Sequence, residues 1–459
     1  MLEVIGIVLF ALIIAGSIAL HELGHLWPAK RFGVKVTEYM IGFGPTIWAR
    51  QRGETSYGIK AIPLGGFVRM IGMLPPAKVD QSSQPGQSDQ AHEPDQAHES
   101  DKADQARPVG RFATMVEDAR RASQAEIGPG DEGRVFYRLP VRKRIVIMLG
   151  GPIMNLLLAF VLFAIVLVGI GLPAPTTTVQ AVVPCTPTVE QPLGNALPSG
   201  NCPTGTVQSP AAAAGLQQGD VITAIDGQSV SEWDQITSWI RDHGGQDAVL
   251  TVRRDGTLID SPVQVATVDR PVVDEQGNLT DQTVRTGFLG VAPEFAYVSQ
   301  SWTTVPSYIW DITVMSVQGL ISLPVRFYEL VTQTLIGGGE RAVDGPVSVV
   351  GVSRLGGETA AKDWPIEAKA ATFLGLAASL NLFLFLFNLL PVLPLDGGHV
   401  AGALYEGARR SIARVRGRPD PGPVDVARLL PIAYVVAAIL IAMGVIVIWA
   451  DLVKPISLG

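Results

Sequence analysis

The stretch GSIALHELGHLWPAKRFG, Gly16 to Gly33, carries His21, Glu22 and His25 at the end of an apolar run that begins at Leu2. The histidines stand at i and i+4, so on a helix both imidazoles share one face and can grip a single zinc ion. Glu22 lies beside them, where a carboxylate can take a proton from an attacking water. An unpaired ionisable group inside a membrane span costs about 2.5–3.5 kcal/mol on insertion scales, so three of them at a span's end imply chemistry done there. The same residues also mark the fold, because a hydrolytic motif at the end of such a run belongs to a membrane protein.

Composition agrees. Of 459 residues, 47% are hydrophobic and only 17% charged, too apolar for a soluble enzyme of this length. The net charge of −7 argues against nucleic acid as a partner. Four segments are long and apolar enough to be transmembrane helices: 1–27, 145–172, 370–392 and 429–453. The first is not a cleaved signal, since it lacks a basic start and a small-residue cleavage site before the histidines. Lys30, Arg31 and Lys35 follow the first span, Arg142, Lys143 and Arg144 precede the second, and Arg409, Arg410, Arg414, Arg416 and Arg418 separate the third from the fourth. The bias of basic residues toward the cytosol then places both of these connections inside, with both termini and the segment after span two outside. Cys185 and Cys202 fall in that outer segment, where a disulfide between them is expected.

Between the first two spans, residues 28–75 alternate apolar and polar positions in short runs broken by Gly and Pro, which predicts a small membrane-associated β-region. Residues 76–130 are rich in Gln, Asp, Ser and Pro and read as a disordered acidic cytosolic insert; His92 and His98 there belong to a solvated linker. Residues 176–285 predict a compact extracytoplasmic α+β domain, with a strand at 221–225, a turn at Asp226-Gly227, a helix near 232–240 and a hairpin around Asp255-Gly256. Residues 300–366 read as amphipathic helix, either lying on the outer membrane surface or packed against the spans.

A zinc enzyme needs a third ligand and an open fourth position. The pattern HExxHxxGxxH is excluded, because Pro28 and Arg31 stand where it needs Gly and His. The segment NLLPVLPLDGGHV, Asn388 to Val400, offers Asp396 at the end of the third span, with His399 as the alternative ligand. Pro391 and Pro394 interrupt the helix there, and freed backbone groups at membrane depth must line protein or a wet cavity.

Taken together, HELGH in the first span, NxxPxxxLDG in the third and GGPIMN (Gly150 to Asn155) opening the second resemble the site-2 protease family. The likeness is to the bacterial intramembrane metalloproteases that cut anti-sigma factors, and the Arg-rich, Lys-poor composition suggests an actinobacterial member. The resemblance implies one zinc per chain on His21, His25 and Asp396, with Glu22 as general base and Asn388 contacting substrate. It implies that the strands near 42–45 and 62–68 receive an extended substrate. It also implies that the outer domain is PDZ-like; no clear carboxylate-binding loop is present, so that domain reads as a size filter. The partners implied are the lipid bilayer and single-span membrane proteins already trimmed outside. In GGPIMN the small residues by themselves predict close helix packing. The competing class is a non-catalytic metal carrier or scaffold, which has no need of Glu22 and would be expected to show repeats among its spans.

Overall fold

In a computed structural model, residues 1–76, 111–186, 207–273, 279–339, 341–342 and 345–456 are described. The chain begins with helix α1 (Leu2–Arg31), strands β1 (Val36–Arg52) and β2 (Thr55–Met70), and helices α2 (Arg111–Ala125) and α3 (Val141–Ala164). A π-helical turn, Ile165–Ile170, leads to β3 (Leu172–Val182), a short α4 (Pro210–Ala213), β4 (Val221–Ile225), β5 (Gln228–Ser229) and α5 (Trp233–Asp242). Then come β6 (Asp247–Arg254), β7 (Thr257–Gln264), β8 (Ala266–Val273), β9 (Leu279–Phe288) and β10 (Val291–Val298). The chain ends with α6 (Thr304–Glu329), α7 (Val349–Ala361), α8 (Ile366–Asn388), α9 (Asp396–Val415) and α10 (Leu430–Val453). Two compact units result, Met1–Gly169 with Ser301–Gly459, and Ile170–Gln300.

In the first unit, α1 runs through Pro28 to Arg31, beyond the 1–27 span read from the sequence. A helix tolerates an interior proline when the carbonyl it leaves free is packed. Here Gly24, whose carbonyl Pro28 cannot bond, meets Gly150 of α3 so closely that a Cβ on Gly150 would lie 2.0 Å from the Gly24 oxygen. Three further contacts hold the helices. Asn381 of α8 is fully buried and donates to Ser17 Oγ of α1 at 3.0 Å. Gly356 and Gly357 of α7 pack on the first turns of α1, where a Cβ on Gly357 would come within 2.6 Å of Ile7. Arg144 of α3 pairs with Glu406 of α9, which also accepts from Arg410 at 3.1 Å and from the Val424 amide at 3.0 Å.

The β-region is longer than the short runs predict. β1 and β2 pair as four segments: 46–52 lies against 55–60, which lies against 36–41, which lies against 66–70. The insert is shorter than expected. Residues 77–110 lie outside the described residues. By contrast, 111–125, assigned above to the disordered insert, form α2. The ion pair of Arg120 with Asp425 anchors it, a contact 305 positions away that composition does not reveal.

Among the described residues five helices rather than four are long and apolar enough to cross a membrane, the additional one being 304–332 around α6. Tyr308, Ile309 and Ile312 of α6 pack against Ala159 and Phe163 of α3. At its far end Phe327 and Leu330 pack against Val447 and Ala450 of α10. Asp451, one residue on, is buried with Arg341 at 2.7 Å and accepts from the Ser348 amide at 2.7 Å.

The second unit is an antiparallel sheet in the order β10-β3-β4-β6-β7 with a separate β8–β9 hairpin. The predicted strand at 221–225 and the hairpin turn at Asp255-Gly256 are present, and α5 starts in a capping box of Glu232 and Gln235. Ile222, Ile225, Ile236, Leu250 and Val252 form its core. Cys185 is disulfide-bonded, and Cys202 lies outside the described residues. Asp220 is buried and accepts two bonds at 2.7 Å from Arg254 and one at 2.8 Å from the Gln217 amide. The Arg254 guanidinium holds its carboxyl below the usual aspartate range. A depressed carboxyl stabilises the fold above its unfolded pKa, near 3.9, and loses that contribution as pH falls through the folded value. Asp220→Asn is therefore expected to lower the melting temperature of this unit at pH 7. The gap from wild type should shrink progressively below about pH 4, which a calorimetric pH series checks.

Candidate metal centre

The Leu389–Leu395 break after α8 returns the chain to α1, and Asp396 opens α9 there. The Nε2 atoms of His21 and His25 are 3.3 Å apart, and Asp396 Oδ2 lies 3.3 Å from the first and 3.2 Å from the second. Zinc bonds of about 2.0–2.1 Å place neighbouring tetrahedral donors about 3.3–3.4 Å apart. The three atoms thus form one face of such a tetrahedron and leave the fourth corner open.

The tautomers agree with this use. His25 Nδ1 lies 2.8 Å from the Ile147 carbonyl, which only accepts, so Nδ1 carries the hydrogen and Nε2 presents a lone pair. Asp396 Oδ2 is buried without a hydrogen-bond donor. An anionic oxygen in that condition calls for a cation. The Asn155 amide lies 3.1 Å from His21 Nδ1, and its Oδ1 has no partner. With metal on Nε2, Nδ1 carries the hydrogen, and the amide turned end for end accepts it and satisfies that oxygen. Two imidazoles and one carboxylate, each held from behind or buried, therefore fit zinc.

α3 supplies both groups behind the histidines. It can do so because position 151 has no side chain: a Cβ there would lie 2.2 Å from His25 Nε2 and 2.7 Å from His21 Cε1. The small residues of GGPIMN thus serve packing, as the sequence predicts, and Asn155 serves the metal site, which the packing reading missed. Asn155→Leu is expected to weaken zinc binding about 10–100-fold while one site per chain remains, as a competitive zinc titration would show.

Glu22 is buried and faces the sheet. A Cβ on Gly66 would lie 2.8 Å from Glu22 Cγ and 3.2 Å from its Oε1, so β2 passes directly along this carboxylate. The Tyr39 hydroxyl donates to the Ala19 carbonyl at 2.7 Å and fastens the sheet to α1 half a turn before His21. Asn388 ends α8 half-buried, its amide without a hydrogen-bond partner among the described residues. His399 lies with Arg144 and Glu406 along a narrow crevice, outside the group His21, His25 and Asp396 that could hold one ion among the described residues. Asn381 also escaped the sequence reading; its signal was an amide in the middle of an apolar span.

Comparison with known proteins agrees with this geometry. The model of Peptidase family M50 matches residues 9–419. The chain is 35% identical over its full length to the full length of the zinc metalloprotease Rip1 of Mycobacterium tuberculosis. It is 34% identical to the Rip1 of Mycolicibacterium smegmatis, covering 99% of this chain and 98% of that one. It is 26% identical to the zinc metalloprotease RasP of Shouchella clausii, covering 98% and 99%. The chain belongs to Peptidase family M50, the site-2 protease family, and is a multi-pass membrane protein.

Proposed function

We propose that this M50 peptidase is a zinc endopeptidase that hydrolyses peptide bonds within or beside the membrane span of single-span proteins, anti-sigma factors among them, after a first cut outside the membrane. The observation that carries the reading is the meeting of His21, His25 and Asp396 within 3.3 Å of one another beside Glu22. A zinc ion held by His21, His25 and Asp396 would supply Lewis acidity, lowering the pKa of a water so that Glu22 can deprotonate it near neutral pH. Glu22 takes the proton from that water as its oxygen bonds to the carbonyl carbon. It then delivers the proton to the leaving nitrogen as the C–N bond breaks. Ile147 and Asn155 keep the imidazoles oriented. In this reading the Asn388 amide bonds a substrate carbonyl or amide.

A helix hides its peptide bonds, so the substrate must unwind. The segment 66–70 pairs with the sheet on one side only and passes Glu22, which supports strand addition along that edge.

The charge bias supports a cytosolic metal centre with both termini and the 170–300 unit outside. His21 lies about 29 Å along α1 from Leu2, one hydrocarbon thickness, which agrees. α6 packs against α3 and α8 through Tyr308, Ile309 and Ile312, and against α10 through Phe327. Connectivity supports four crossings. A lone extra crossing between α3 and α8 would carry Asp396 away from the histidines. We read the outer unit as a PDZ-like filter that admits substrates already shortened.

The test is reconstitution of the full chain in detergent with candidate single-span substrates. Cleavage that is blocked by chelator and restored by zinc supports the reading. Cleavage that persists without metal overturns it.

A further inference from the structure

A second cavity, of about 920 Å³, opens on the far side of the turn that carries Asp396. It is lined by the polar side chains of Arg120, Arg409, Arg428 and Asp425 and by the apolar side chains of Val392, Leu393, Leu429 and Ile432. Three guanidiniums face a single carboxylate. Asp425 takes Arg120 and, at 3.1 Å, Arg428, whose side chain is 80% exposed. Arg409 donates to the Pro421 carbonyl at 2.7 Å and has no carboxylate partner among the described residues. Glu117 lies 3.6 Å from Arg120, while Glu406, which accepts from the Val424 amide of the cavity wall, is taken up by Arg144 and Arg410, and Asp420 by Arg410.

Arg428, Leu429 and Ile432 stand in the first two turns of the last apolar segment, Val426–Val453, with Ile432 61% exposed, while Arg409 lies on α9 in the basic connection before it. Tyr405, 62% exposed, stands in the same wall. A cavity that joins cationic and apolar side chains at the start of a membrane-crossing segment matches a ligand with a phosphate at one end and acyl chains at the other. An inorganic anion would leave the apolar side chains uncovered.

We infer that this cavity is a binding site for one anionic phospholipid, its phosphate on Arg409 and Arg428 and its chains along Leu429 and Ile432. The inference rests on the proposed orientation only in that the cavity lies at a membrane interface; it needs no proteolysis. The cavity wall includes Pro391, Leu393 and Gly398, so the lipid backs the turn that presents Asp396.

The experiment uses the full-length Glu22→Gln protein, which keeps the metal ligands. Micelles are doped equally with phosphatidylglycerol and phosphatidylcholine, and retained lipid is counted by native mass spectrometry. Selective retention of phosphatidylglycerol is expected. Adding Arg409→Gln and Arg428→Gln should weaken that retention about 30-fold with zinc content unchanged. Equal retention of both lipids, or selective retention that survives the double substitution, overturns the proposal. A third arm adds inorganic phosphate at the lipid's concentration. Failure to displace the lipid supports a site that reads both ends of the molecule, and displacement would reduce the site to an anion pocket and overturn the lipid assignment. Failure of proteolysis with every substrate would leave these outcomes unaffected, so the two readings fail separately.

Discussion

Glu22→Gln is expected to bind one zinc per chain, as wild type does, and to lose cleavage by about 10²–10⁴-fold, the usual contribution of a positioned general base. Glu22 is not among the three atoms that converge, so its removal leaves the metal face intact. The amide keeps the shape of the side chain against Gly66 and removes only its ability to accept a proton. Zinc content by elemental analysis and single-turnover cleavage of a single-span substrate are the two readings. A carrier that uses HELGH for transport makes the opposite forecast, with function kept in the amide. Cleavage within tenfold of wild type in zinc-loaded Glu22→Gln would remove the carboxylate from the mechanism.

Asp396→Ala is expected to act on the other half of the site. Four ligands contribute about 10–16 kcal/mol to a typical protein zinc site, so one contributes about 3–4 kcal/mol, a loss of about 10²–10³ in affinity. The Oδ2 atom that is removed has no donor to satisfy it other than a bound cation, so little else of the structure depends on its charge. His399→Ala is the matched control: it lies outside the converging trio and should keep zinc at wild-type affinity. Zinc lost on removing His399 and kept on removing Asp396 would exchange their roles.

The two motifs were legible because each is local. His21 and His25 share a helix face by spacing alone, and Asp396 is the single carboxylate at the end of its span. That they meet is a tertiary fact, which spacing allows and packing enforces. The groups that spacing could not reveal act across long separations. Ile147 reaches His25 over 122 positions, and Asn155 reaches His21 over 134. The span read as 1–27 continues through Pro28 to Arg31 because Gly150 closes on Gly24, a contact that spacing does not disclose. The same holds for α2: its composition resembles the acidic insert, and only the distant Asp425 explains why it is ordered. In the β-region, alternation disclosed strands but not that 36–41 would pair on both sides. The outer unit read more faithfully, because Asp226-Gly227 and Asp255-Gly256 are turns whose chemistry is contained in two residues.

The central claim is that two stretches of chain, at 21–25 and at 396, hold one ion together. Zinc K-edge absorption on the full-length protein tests it most directly. The account predicts two imidazole nitrogens with oxygen ligands at about 2.0–2.1 Å in wild type, and one oxygen scatterer fewer, or no bound zinc, in Asp396→Ala. A zinc shell identical in the two proteins, with both imidazoles present, would contradict it.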